Sequence, residues 1–132
     1  MESEMNISYG KSICFGAAAL FFVPGQSLAQ EFLTTEQIEA LVVGKTVHAK
    51  HLKKGFEFLI YFDPDGRTAV RKQAGETTET TYKIEANKHC IFWKGKDRCA
   101  GIFDNGDATY DRVNPNGVHV IRWTKIVPGE EL

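Results

Sequence analysis

The sequence predicts a mainly β protein: an antiparallel meander of about eight strands forming a small lipocalin-like barrel or curved sheet, with one short N-terminal helix. Three observations predict it. After Gly44 the apolar residues recur with period two instead of the helical period. Turn signals follow one another at short intervals, at Asp63-Pro64-Asp65-Gly66, Asn105-Gly106 and Asn114-Pro115-Asn116-Gly117. A two-residue hairpin loop at Lys94-Gly95 would also set Cys90 opposite Cys99. No crossover helix is in sight, so a parallel sheet is not expected.

The N-terminal stretch stands apart from this pattern. Lys11 precedes the apolar run Ile13 to Val23, Pro24-Gly25 breaks it, and Ser27-Leu28-Ala29 supplies small residues at a cleavage site. That order is the secretory signal pattern. The run is shorter than the roughly 20 apolar residues a bilayer span needs. Residues 1–29 are therefore expected to be a cleavable signal peptide, with translation starting at Met1 or Met5, and 30–132 a single β domain in the periplasm or secreted. Removal of the leader takes away Cys14 and leaves an even pair, Cys90 and Cys99. In an oxidising compartment such a pair is expected to be a disulfide.

The helix comes next. Thr34 is placed to cap it and Gln37 stands at the capping-box position, with Leu33 and Ile38 as the hydrophobic staple. Ile38, Leu41 and Val42 give it one apolar side, and Gly44 is a natural stop. A short strand is expected over residues 45–50. Residues 56–62 alternate, with Phe56, Phe58, Ile60 and Phe62 on one face and Leu59 and Tyr61 on the other. Further strands are expected over 67–73, 79–85, 88–93, 98–104, 107–113 and 118–127, with Ala86-Asn87 as another turn. Asn105-Gly106 is expected to be a tight hairpin turn. Counting outward from Lys94-Gly95, Trp93 faces Lys96, Phe92 faces Asp97, Ile91 faces Arg98 and Cys90 faces Cys99. The last is a non-hydrogen-bonded pair, close enough for a disulfide. Its spacing is not the Cys-x-x-Cys of redox enzymes, so a structural staple is expected.

The composition bounds the chemistry. With 16 Lys and Arg against 17 Asp and Glu the net charge is −1, and neither nucleic acid nor a strongly charged polymer is an expected partner. No serine occurs from Gln30 to Leu132, and the two remaining cysteines are spoken for. Serine and thiol nucleophiles are thereby removed. No phosphate loop or zinc-protease spacing is present. Asp63, Asp65, Asp104 and Asp107 fall at turns, where Asp serves backbone geometry. No catalytic residue, cofactor or metal is expected. His48, His51, His89 and His119 raise the question of a metal, but His48 and His51, three apart on a strand, point to opposite faces and make a poor chelate, and all four are expected to be ordinary surface or half-buried histidines. Lys45, Lys50, Lys53 and Lys54 form a basic cluster that offers weak contact to an anionic surface or, more simply, protects a sheet edge.

The motifs Leu33-Thr34-x-Glu36-x-Ile38 with Gly44-Lys45-Thr46, Tyr61-Phe62-x-Pro64-Asp65-Gly66, Cys90-Ile91-x-Trp93 with Arg98-Cys99, and Ile126-Val127-Pro128-Gly129 resemble those of a group of small exported proteobacterial proteins without assigned function. The resemblance spans most of residues 30–132. It implies export and a compact β fold and transfers no catalytic residue. In one departure, Gly75-Glu76-Thr77-Thr78 stands in place of a Gly-Thr-Trp-like strand, so the resemblance does not fix where that strand starts.

The function expected from these residues is non-enzymatic: binding of a small apolar or amphipathic ligand in the concavity of the sheet. Tyr61, Trp93 and Trp123 would supply apolar area, and Arg71 or Arg122 a polar contact. The alternative is a protein–protein interaction module or enzyme inhibitor acting through a loop.

Overall fold

The period-two patterning after Gly44 builds eight antiparallel strands in the computed structural model, which describes residues 31–132. The expected signal peptide and Cys14 lie outside the described residues. In chain order the elements are β1 (Glu31–Phe32), α1 (Thr35–Val42), β2 (Lys45–His51), β3 (Glu57–Phe62), β4 (Thr68–Gln73), β5 (Glu76–Glu85), β6 (Lys88–Trp93), β7 (Lys96–Asp104), β8 (Tyr110–Val113) and β9 (His119–Pro128). Each strand from β2 to β9 pairs with the next. β9 returns to pair with β2 through Ile126↔Val47 and Trp123↔Ala49. The meander therefore closes into an eight-stranded barrel, not an open curved sheet. Closure removes the free edges that an open sheet would expose. The two-residue β1 adds to β7 outside this circuit, at Phe32↔Phe103.

α1 forms where its caps require. The Thr34 hydroxyl accepts from Gln37 N–H while the Gln37 side chain accepts from Thr34 N–H. Gly44 follows with φ of 78°. Ile38 and Val42 are fully buried in the same cluster as Val47, Ile60, Phe62, Tyr82 and Trp123. The helix thus plugs one end of the barrel. Reciprocal bonds between Thr35 and Asn87 tie its start to the β5–β6 turn.

Three hairpins, at Ala74-Gly75, Ala86-Asn87 and Lys94-Gly95, have both loop residues at positive φ. That is the turn whose twist matches the flanking strands. The third sets Trp93↔Lys96, Phe92↔Asp97, Ile91↔Arg98 and Cys90↔Cys99, as the sequence predicts, and the two sulfurs are bonded. Asp63 to Gly66 and Asn114 to Gly117 adopt one geometry. In each, the glycine N–H donates to the carbonyl of the first residue, whose side chain accepts a backbone N–H two residues on.

Two expectations need correction. Asn105-Gly106 is not a two-residue turn. Asp104 accepts from Gly106 N–H and Asp107 from Thr109 N–H, and the chain crosses in a longer loop closed by Asn105 N–H to the Thr109 carbonyl. β8 consequently starts at Tyr110 instead of residue 107. β5 begins at Glu76, not Glu79, because the Ala74-Gly75 loop reverses the chain at once and pairs Glu76 with Gln73.

Candidate functional site: the open end of the barrel

The two ends of the barrel are filled differently. On β3, Phe62 and Ile60 point inward at the helix end and are buried in the core. Phe58 and, just before the strand, Phe56 face a cavity of about 440 Å³ at the other end. Ile60 and Trp123 belong to both, so the cavity begins where the packed core stops. Ile91, Trp93 and Ala100 line one wall, and Val120 and Ile121 another. Residues from the β2–β3, β6–β7 and β8–β9 turns, Lys54, Lys94 and Asn114, rim it. A volume of this size, lined mainly by apolar and aromatic groups, falls within the range of small-molecule sites.

The polar groups are one-sided. His51, Lys54, Arg71, Lys94, Arg98 and Arg112 line the cavity, and among the described residues no Asp or Glu does. Arg71 lies over two rings, its guanidinium carbon 4.0 Å from the Phe58 centroid and 4.5 Å from that of Trp93. Such placement is a cation–π contact. Burial lowers its pKa, with no carboxylate partner among the described residues.

Arg112 is deeper, only 9% exposed. One terminal nitrogen donates to His89 Nδ1 and the other to the Arg98 carbonyl at 2.9 Å. Burial lowers its pKa to about 10, again without an opposing charge. A guanidinium only donates, so His89 Nδ1 must accept and its proton sits on Nε2. That Nε2 has no hydrogen-bond partner among the described residues. The ring is fully buried, perpendicular to both Phe62 and Trp123. Burial, then the Arg112 charge, hold the His89 pKa well below the usual imidazole value.

Of the residues singled out from sequence, Arg71, Trp93 and Trp123 come together in the cavity. Tyr61 and Arg122 do not. Alternation turns Tyr61 outward between the inward Ile60 and Phe62. Arg122, between Ile121 and Trp123, lies on the outer wall, where Nε and a terminal nitrogen donate to Asp111 at 2.8 and 3.0 Å. His119 and Asn105 complete the ring around that carboxylate. Burial pushes the Asp111 pKa up, but the bonds from Arg122, His119 and Asn105 outweigh it and hold the group below the usual range. Arg112 is the residue the sequence reading misses, and His89, expected at the surface or half-buried, is fully buried. In Tyr110-Asp111-Arg112-Val113 two adjacent charges give no sign of which faces inward, and both prove to be buried.

His51 accepts from Lys54 N–H at 3.0 Å, and His48 lies along a groove formed with Glu57, Lys72 and Thr124. Among the described residues no cluster of three or more His, Cys, Asp or Glu is arranged to hold a metal. Lys45 donates to the Ala40 carbonyl at the end of α1, so it acts within the fold. No described helix is long and apolar enough to cross a membrane. Comparison with protein-family models, with curated proteins and with solved structures finds no match.

Proposed function

We propose that this chain is a non-enzymatic binding protein of an exported compartment, holding a small amphipathic ligand in the open end of its barrel. The observation that carries the reading is the aromatic cavity of about 440 Å³ beside a fully packed core. A barrel that served only as a scaffold would be expected to continue its core to both ends, since native interiors leave few voids larger than a water molecule. The Cys90–Cys99 bond supports export, because such bonds persist in oxidising spaces. The His119–Asp111 contact lies on the outer wall and takes no part in the cavity, which favours binding over catalysis there.

The test uses N-phenyl-1-naphthylamine, an uncharged apolar fluorophore. Saturable binding at one site per chain, with quenching of the protein's own emission, is the expected result. Both tryptophans of the chain, Trp93 and Trp123, line the cavity and report on it directly. Absence of saturable binding, together with a bare mass for the exported protein in native mass spectrometry, would overturn the proposal.

A further inference from the structure

We infer that the ligand of this cavity is an amphipathic anion, bound with its carboxylate or phosphate headgroup on Arg112 and its apolar part against Phe56, Phe58 and Trp93. The inference rests on the binding role just proposed and narrows it to one class of ligand.

Arg112 carries it. A cation buried to this degree is ordinarily paired with an anion, because a charge removed from water is strongly disfavoured when nothing compensates it. Its two protein partners are a neutral imidazole and a backbone carbonyl, and its remaining donors have no protein acceptor among the described residues. Those donors belong to a side chain that lines the cavity. Asp111, the adjacent residue, cannot serve, since it is on the outer wall and engaged with Arg122, His119 and Asn105.

The surroundings have the same sign. Arg71 contributes a second half-buried guanidinium, and Lys54, Lys94 and Arg98 continue the positive charge to the rim. The bias is local, because the whole chain carries a net charge of only −1. Acidic side chains are thus spent elsewhere while the cavity holds bases alone. Guanidinium groups match the flat or trigonal face of a carboxylate or phosphate with paired N–H bonds. The apolar walls exclude small, fully hydrated anions in favour of ones with a hydrocarbon or aromatic body.

The test is a headgroup series on the wild-type protein, read by calorimetry and tryptophan emission: decanoate, decyl phosphate, decanol and decyltrimethylammonium. At least one anion should bind tenfold or more tightly than decanol, and decyltrimethylammonium should bind least. Which anion leads identifies the headgroup. Arg112→Met should bring the anion down to the affinity of decanol. Because the series needs no variant, a misfolded Arg112→Met protein leaves the test standing, and Arg71→Met then serves as the second variant, with a several-fold loss for the anion alone. Decanol binding as tightly as both anions overturns the inference and leaves the cavity reading intact. Failure of every ten-carbon compound to bind overturns the inference, and the cavity reading falls with it only if N-phenyl-1-naphthylamine also fails to bind and the native mass is bare. An anion preference that survives in folded Arg112→Met moves the charge recognition to the rim and also overturns the assignment.

Discussion

His89 is fully buried and must be neutral to accept the Arg112 N–H, and this fixes the sign of a pH effect. Its folded pKa lies below the unfolded value of about 6.5, so the unfolded chain takes up the proton first as pH falls. Stability is fully present above about pH 6.5 and is lost as the solution is acidified from there towards the folded pKa. The slope in that window is on the order of 1 kcal/mol per pH unit. Urea unfolding at pH 7.5 and pH 5 should show this loss, and His89→Gln should show much less of it. His51 is displaced in the same direction by burial and by Lys54 and Lys53, so the difference between wild type and variant isolates His89. Asp111 works at the other end of the scale. Its folded pKa is depressed, so its contribution holds above the ordinary carboxylate pKa of about 4 and disappears only in stronger acid.

At the scale of elements, the two-residue hairpins place alanines where L-residues are uncomfortable. Ala74 has φ of 52° and so does Ala86. Left-handed backbone costs a residue bearing Cβ roughly 1–2 kcal/mol, and less for asparagine. Ala74→Asn creates the Asn-Gly pair this turn favours, and thermal unfolding should show a gain of about 1 kcal/mol. The same elements show what could be read from the chain alone. The Lys94-Gly95 hairpin and its disulfide were legible because two constraints, turn and cysteine spacing, demanded one register. The α1 cap was legible because its signal is local, from Thr34 to Gln37. The Asn105-Gly106 loop misled because Asp104 takes the Gly106 N–H and Asp107 the Thr109 N–H, which holds the chain in a longer loop. β1 carries too few residues to show any period, and only its docking beside Phe103 makes it a strand. Trp93, Arg71 and Trp123 were chosen by residue type, as aromatics and an arginine, and the same criterion chose Tyr61 and Arg122, which face outward. Arg112 was missed, since its facing depends on which residues of β7 it pairs with, a long-range fact.

The whole molecule divides along the barrel axis into a packed half and a receiving half, and the two should respond differently to truncation. Phe62→Ala removes a fully buried ring in contact with Tyr82, His89 and Trp123, and should cost about 3–5 kcal/mol in urea unfolding. Phe58→Ala trims a half-buried wall of the cavity and should cost about 1 kcal/mol, while weakening N-phenyl-1-naphthylamine binding several-fold. Equal losses of stability at the two positions, measured on the same preparation, would contradict this division.

The described chain enters beside Asp104 at the plugged end, and after Gly129, whose N–H donates to the Gly44 carbonyl, its last residues fold back onto the wall, where Glu131 N–H donates to the Thr46 hydroxyl and Lys72 to the Leu132 carbonyl. A tether attached ahead of Glu31, whether an affinity handle on a sensor chip or a natural fusion, would hold the protein by its base. The mouth would then point away from the support, open to the surrounding fluid.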